Sequence, residues 1–191
     1  MLVSIRIKHV HTNLSLVIIV HYTTRSIQFC ALLFTGAIFG FFYAYVVSCL
    51  NGLSTLSARD AIEAMNAINI AVRNFGFMPV FFFTPLFCLA AAGLSLLVGE
   101  RHTSFWIFAA AILYFFGAFL PTIFINVPMN DGLKEVDPNG LSLTIAADTW
   151  NSYAREWQFW NIIRTFFSGL ALVCVGAGLM TIRSYSLSAT K

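Results

Sequence analysis

Charged side chains are scarce in this chain. Of its 191 residues, 10% are charged and 59% are hydrophobic, whereas about a quarter of the residues in soluble domains are charged. This composition excludes an ordinary soluble domain and predicts the lipid bilayer as a partner. The net charge is only +3, and we predict no nucleic-acid partner.

The sequence also lacks the cysteine and histidine patterns of metal and redox sites. All 4 cysteines fall inside apolar runs without Cys-x-x-Cys spacing, which disfavours a thiol relay or a zinc site. His9, His11 and His21 precede the first long apolar run, and His102 lies in a short loop. No imidazole is therefore expected at membrane depth. We predict no metal and no bound cofactor, and a quinone-linked redox carrier would have no evident electron route.

Long apolar runs are what the chain does contain. A helix needs roughly 20 residues to cross a hydrocarbon core of about 30 Å, and four runs reach that length. We predict an all-α fold, an integral membrane, antiparallel four-helix bundle with extra helical segments on the extracytoplasmic side. The predicted boundaries are 1–26 for an interfacial or poorly ordered leader, 27–183 for the bundle, with helices at about 27–50, 76–98, 105–125 and 159–182, and 184–191 for a tail.

Basic residues indicate how this multi-pass chain is oriented. Arg25 precedes the first predicted helix, Arg101 joins the second to the third, and Arg183 follows the fourth. The two longer connections, on the opposite side, hold nearly all the acidic residues. Because cytoplasmic loops are enriched in lysine and arginine, we predict that both termini are cytoplasmic.

Few polar residues interrupt the apolar runs, and no inverted repeat is visible, so a transporter or channel is disfavoured. Small residues four apart, such as Gly36 and Gly40, favour close helix packing. Packing inside one bundle explains them better than dimerisation does, although a homo-oligomer remains possible.

The first long connection carries a helix signal. Ser57 and Asp60 form a capping pattern, followed by residues compatible with a helix to about position 74. Asn66 and Asn69 fall on one face of that helix, together with Arg73. Two interpretations stay open, a lid over a polar pocket and amides that bind backbone carbonyls of neighbouring helices.

The second long connection begins with Asn126-Val-Pro-Met-Asn130. Proline ends a helix, and the flanking amides could bind the carbonyls left unpaired there. Such capping could by itself explain Asn126. Further on, Asp148 is predicted to cap a helix that starts near Thr149 and continues into the fourth span.

A polar stripe runs into that last span. At helical periodicity its members share one face, which carries indoles, a phenol, an amide and a guanidinium toward the membrane. The stripe consists of Trp150, Tyr153, Trp157, Asn161 and Arg164. An unpaired arginine in hydrocarbon is unfavourable, so Arg164 needs a partner or a ligand.

These motifs resemble those of the anthrone-oxygenase-like family of small four-helix membrane proteins. The resemblance is carried by Met65-Asn66 with Asn69, by Asn126-x-Pro-x-Asn130, and by the series Trp157, Asn161 and Arg164. It covers nearly the whole chain after residue 27. Members with an assigned role oxidise an anthrone to an anthraquinone in fungal polyketide pathways, while many bacterial relatives have no known substrate.

The resemblance implies a fold more than a reaction, so the roles of residues come from their chemistry. An anthrone is a carbon acid whose electron-rich anion can react with dioxygen, the co-substrate, without flavin or metal. We expect Arg164 to stabilise the developing enolate oxygen and Asn161 to orient it or the superoxide. Glu63 is the candidate base, with Asp131 and Glu156 as alternatives.

The predicted guest is a lipophilic small molecule that reaches the outer mouth from the bilayer. Its predicted binding residues are Trp150, Tyr153, Trp157, Asn66, Asn69, Asn126 and Asn130. The tryptophans could instead form a belt at the lipid headgroups.

Two rival interpretations remain for the stripe and its arginine. Arg164 could form a structural ion pair with Glu63 or Asp131. The whole protein could also be a non-enzymatic membrane module that binds a lipid or quinone or supports a partner protein.

Overall fold

The computed structural model describes the backbone of residues 2–182 and the side chains of residues 16–182. This part of the chain forms five helices and no strand. Three of the segments are single turns of π-helix, which lie within the first and fourth helices. Three helices are uninterrupted: α2, Ala58–Ala71; α3, Met78–Leu97; and α5, Leu143–Met180. α1 runs over Leu2–Ala44 and continues through the π turn Tyr45–Cys49 into Leu50–Leu53. α4 runs over Arg101–Tyr114 and continues through the π turns Phe115–Phe119 and Thr122–Asn126 into Val127–Lys134.

Four of these helices, α1, α3, α4 and α5, are long and apolar enough to cross a membrane. They pack in a ring in which α1 and α4 each contact both α3 and α5. Helices that are adjacent in the ring run antiparallel, because the chain passes up and down in sequence. The predicted fold class, a four-helix membrane bundle with an additional helical segment, is confirmed.

Three helix ends lie well away from the predicted ones, because α1 and α5 begin earlier and α4 ends later. α1 is helical from Leu2, without a break at residue 27, and where this leader lies relative to the membrane stays a prediction. The predicted tail 184–191 lies outside the described residues. α5 begins at Leu143, where the Ser142 side chain accepts a hydrogen bond from the Ile145 amide. The expectation that Asp148 caps this helix is therefore wrong, because an earlier serine satisfies its first amides.

Prolines shape α3 and α4 without ending them. Pro85 lies inside α3 and has no amide hydrogen for the carbonyl four residues earlier, that of Phe81. The Tyr114 hydroxyl of α4 donates to this oxygen at 2.9 Å. In α4 one π turn begins directly after Pro121 and ends shortly before Pro128. The helix then continues to Lys134, so the expectation that Pro128 ends it is wrong.

α2 packs over the end of the bundle where α1 ends and α3 begins, which we call the outer end. Ser57 caps it as predicted and accepts from the Asp60 amide at 3.3 Å. The helix packs against α5 and against the outer part of α4. Its buried residues, Ala61, Ile62 and Met65, belong to an apolar cluster that includes Trp150 and Trp157. The polar stripe of α5 is thereby enclosed on its outer side.

Gly117 of α4 packs directly against Phe167 of α5. A Cβ atom added there would lie 2.1 Å from Cγ of Phe167, far inside van der Waals contact. Only glycine fits without a shift of the backbone. This contact fixes the spacing of the two helices that carry most of the candidate site.

Candidate functional site

Arg164 is the charged residue at the centre of the bundle's outer half. Only 4% of it is exposed. Its Nη2 donates to Oδ1 of Asn161 at 3.0 Å, and its Nη1 donates to Oγ1 of Thr122 at 3.3 Å. Among the described residues, no carboxylate lies within 4.0 Å of this guanidinium. Its charge is therefore stabilised by neutral groups alone.

Aromatic faces complete the surroundings of this guanidinium. Its central carbon lies 4.6 Å from the ring centroid of Phe42 and 5.0 Å from that of Trp157. Cation–π contacts of this kind are stronger where water is excluded. Arginine suits the position because its planar group can stack and donate hydrogen bonds at the same time.

Asn161 holds Arg164 in place. It is completely buried, and its Nδ2 donates to the main-chain oxygen of Phe42 at 3.2 Å. One helix turn earlier, Gln158 donates to the oxygen of Val46 at 3.2 Å. Phe42 lies shortly before the π turn of α1 and Val46 lies within it, where the regular pattern of backbone hydrogen bonds is interrupted. Side chains of α5 thus tie it to α1 at this irregularity.

A cavity of about 360 Å³ opens beside the guanidinium. Pockets of this size that are mostly apolar, with a few placed polar groups, are typical of small-molecule sites. Its polar and charged lining residues come from α2, the connection that follows it, α4 and α5. The lining residues include Phe41, Phe42, Tyr45, Asn69, Arg73, Phe77, Met78, Phe81, Phe82, Thr122, Asn126, Asn130, Asp131, Trp157 and Arg164.

Polar side chains of α4 form one row along this cavity. Thr122, Asn126 and Asn130 follow at intervals of four residues and all line it. Asn130 accepts from the Tyr153 hydroxyl at 2.8 Å and from Nε1 of Trp157 at 3.0 Å. The row therefore runs from the guanidinium toward the outer mouth, and its outer member is tied to α5.

Asn126 stands out within this row. It is only 1% exposed, yet neither its Nδ2 nor its Oδ1 has a hydrogen-bond partner. The expectation that it caps backbone carbonyls is wrong for this reason. A buried amide without partners is unfavourable by about 1–3 kcal/mol for each unsatisfied group. Nδ2 of Asn69 and Nε of Arg164 are also buried and unpartnered.

An exposed ion pair lies at the mouth. Nη2 of Arg73 is 3.0 Å from Oδ1 of Asp131, and the two side chains are 49% and 56% exposed. The pair joins the connection that follows α2 to the outer part of α4. The alternative in which Asp131 or Glu63 pairs with Arg164 is therefore wrong, because Asp131 pairs with Arg73 and Glu63 accepts from Asn139 at 2.9 Å.

Several residues predicted from sequence lie outside the cavity. Glu63 and Glu156 are exposed, and neither is among the lining residues. Asn66 donates to the main-chain oxygen of Leu133 at 3.3 Å and is not among the residues that line the cavity. Trp150 is buried against Tyr153, with ring centroids 5.9 Å apart, and packs beside the site without lining the cavity.

The predicted members Trp157, Asn69, Asn126, Asn130 and Arg164 do meet in one place. Sequence reasoning missed Thr122, which binds Arg164, and the rings of Phe42 and Tyr45. One signal was present for Thr122, since it lies one turn before Asn126 on the same face of α4. None was present for the aromatic residues, because phenylalanine is common throughout the spans.

Among the described residues no cluster of three or more histidine, cysteine, aspartate or glutamate side chains could hold a metal ion. The prediction that the protein works without metal or cofactor stays a prediction.

The anthrone oxygenase family model matches residues 76–174. The chain belongs to the anthrone oxygenase family. The match covers α3, α4 and most of α5, and so includes the α4 row and the α5 stripe. It does not include Asn66 or Asn69. Neither the curated proteins nor the solved structures contain a match to this chain.

Proposed function

We propose that this family member is a membrane-embedded, cofactor-independent oxygenase of an enolisable, lipophilic aromatic ketone. The observation that carries the proposal is a buried guanidinium without a carboxylate partner on the wall of an aromatic cavity. Such a cation is unfavourable in hydrocarbon unless something binds it. An enolate oxygen is a ligand that would complete its surroundings.

The net reaction consumes one molecule of dioxygen for each ring methylene. Loss of a proton from the methylene gives an enolate, and its carbon reduces dioxygen by one electron. The resulting carbon radical and superoxide combine to form a C–O bond, and protonation gives a hydroperoxide. The carbon then loses its remaining hydrogen as the O–O bond breaks. The products are a second ring carbonyl and one water.

Arg164 would act in the first of these steps. Its guanidinium carries full charge and is already fixed by Asn161 and Thr122. Little reorganisation is needed when negative charge develops on the oxygen of the ketone. The same fixed charge would favour formation of superoxide beside it. Asn161 therefore has the role of a positioning residue, because it acts through Arg164 and does not line the cavity.

The cavity walls suit a flat guest. Phe42, Phe81 and Trp157 present buried rings on different sides of the space, and stacked or edge-on contacts between such rings and a fused-ring ketone are favourable. Asn126 offers an unpartnered donor and an unpartnered acceptor in the same cavity. A polar substituent of the guest could satisfy both.

Asp131 is the carboxylate that lines the cavity and is therefore our preferred base. It lies nine positions after Thr122 on α4, so roughly 13 Å of ideal helix separates the two. A ketone bound at Arg164 would leave its methylene short of Asp131. Proton transfer would then run through water in the mouth, which is an accepted arrangement for general base catalysis.

Dioxygen consumption by the protein in phospholipid vesicles tests this proposal. With anthrone, we expect one dioxygen consumed for each anthraquinone formed, at a rate above that of protein-free vesicles. The analogue in which methyl groups replace both methylene hydrogens should not react, because it cannot form the enolate. Equal rates with and without protein, for anthrone and for other enolisable ring ketones, would refute the oxygenase.

A second candidate is a non-enzymatic module that binds a lipid or quinone. One observation favours it, since the carboxylate that lines the cavity is held by Arg73 at the mouth. Tight binding of anthraquinone without any turnover of anthrone would support this candidate over the first.

A further inference from the structure

A groove on the outside of the bundle lies next to the cavity. This groove of about 540 Å³ lies along the connection between α2 and α3 and the first turns of α3. Its lining is mostly apolar and includes Phe75, which is 98% exposed, and Phe83, which is 48% exposed. α3 is long and apolar enough to cross a membrane, so we expect the exposed phenylalanines near its outer end to face the lipid.

Only one layer of side chains separates this groove from the cavity. Met78 and Phe82 line both spaces, as does Arg73 at their outer edge. Met78 is 36% exposed and Phe82 is 38% exposed, although both also form part of the inner wall. Met78 has an unbranched side chain with several rotatable bonds, so it can swing aside without moving the backbone.

The backbone behind this wall is fixed. Asn74 donates to the main-chain oxygen of Ala71 at 2.7 Å and accepts from the amides of Gly76 and Phe77 at 2.7 and 3.1 Å. The side-chain amide of Asn74 thus binds both the last turn of α2 and the chain that leads into α3. Opening of the wall then requires rotation of side chains alone, which exposed residues complete within nanoseconds.

We propose that Met78 and Phe82 form a lateral gate through which membrane-dissolved ring compounds pass from the groove into the cavity. The inference rests on the proposed function for the nature of the guest. It adds the route, which avoids the aqueous mouth and its ion pair between Arg73 and Asp131. An apolar ring that enters from the groove stays in apolar surroundings until it reaches Arg164, whereas passage through the mouth requires transfer into water first.

Exchange of anthraquinone tests the gate without any need for turnover. The probe is anthraquinone in phosphatidylcholine vesicles, and the readout is quenching of Trp157 in a protein whose other tryptophans are replaced by phenylalanine. We expect Met78→Ala and Phe82→Ala each to raise both the association and the dissociation rate by roughly tenfold, as for a barrier lowered on a gated path. Leu86→Ala is the matched control, since Leu86 is 56% exposed on the same helix and lines neither space.

The two rates together separate a gate from a lost contact. Loss of a contact with the bound guest would raise dissociation alone. If Met78→Ala and Phe82→Ala leave both rates unchanged, or raise dissociation alone, the gate is refuted.

A second probe covers the case in which anthraquinone does not bind. In vesicles whose acyl chains carry bromine, Met78→Ala should increase quenching of Trp157, because a chain end can then reach the cavity. Leu86→Ala should not. Equal quenching in all variants would overturn the gate. A protein that passes these tests yet never oxidises anthrone would retain the gate and lose the proposed oxygenase.

Discussion

Two arginines at opposite ends of the bundle are held in different ways. Arg25 of α1, beside the turn between α3 and α4, donates through both terminal nitrogens to Glu100, and Nη1 also donates to Gln28 at 2.9 Å. Gln28 in turn donates to Ser95 at 2.8 Å. Arg164 has two neutral acceptors and two rings, and its Nε has no partner.

The difference separates a structural arginine from a candidate site. At Arg25 a carboxylate neutralises the charge, and the buried amide of Gln28 is fully used, so the cluster ties α1 to the turn between α3 and α4. At Arg164 the charge is uncompensated and faces a cavity. An arrangement that is incomplete in the folded protein is the one that a ligand can complete.

The largest expected effect comes from exchanging each arginine for lysine. Arg164→Lys should lower turnover of anthrone about a hundredfold, because lysine cannot reproduce the planar fork that donates to an oxyanion. Arg25→Lys should leave turnover unchanged. The measurement is dioxygen consumption per folded protein, with folding checked by thermal unfolding in detergent. Full activity of Arg164→Lys would contradict the proposed role of this guanidinium.

A substitution in the Arg25 cluster should instead lower stability and leave turnover unchanged. Glu100→Gln leaves Arg25 without its counter-charge, and because the pair is only partly buried we expect the free energy of unfolding to fall by about 2 kcal/mol. Turnover at a temperature well below unfolding should not change. Thermal and denaturant unfolding in detergent provide the measurement. A large loss of turnover in the folded variant would mean that the two ends of the bundle are coupled.

At Asn126 we expect smaller effects, in which a substitution raises stability and lowers turnover. Asn126→Leu removes two unpartnered polar atoms from a buried position, which should raise the free energy of unfolding by about 1 kcal/mol. Turnover should fall about tenfold if the amide binds the guest through one net hydrogen bond. The free energy of unfolding is measured by thermal and denaturant unfolding in detergent, and turnover is measured by dioxygen consumption.

The control for that variant is Asn161→Leu. Both atoms of the Asn161 amide are bonded, so this change should lower stability. If Asn126→Leu also destabilises the protein, its amide has a structural role and is not kept for a ligand.

Much of the fold could be predicted from the sequence because it depends on local properties. Apolar runs long enough to span a bilayer identified the four spans, and the capping pattern at Ser57 identified α2. The boundaries were harder to predict. Asp148 resembles a cap as much as Ser142 does, and the choice between them depends on where the chain leaves α4. Pro128 would end most helices, but in α4 the preceding π turn accommodates it.

The candidate site was predictable only in part. Helical periodicity placed Trp157 and Arg164 on one face, since both belong to α5. The choice among Glu63, Asp131 and Glu156 as base could not be made from sequence, because it depends on how α2 packs over the outer ends of α4 and α5. The structure places Asp131 on the cavity wall and leaves the other two carboxylates outside the cavity.

The sequence by itself determined that this protein spans a membrane with four helices and that one helix carries an arginine with aromatic and amide neighbours. Hydrophobicity and helical period act over a few residues, so both can be read along the chain. Tertiary structure decided that Phe42 and Thr122 surround Arg164 and that no described carboxylate does. Those contacts join residues far apart in sequence, and they exist only once the helices have packed around the cavity.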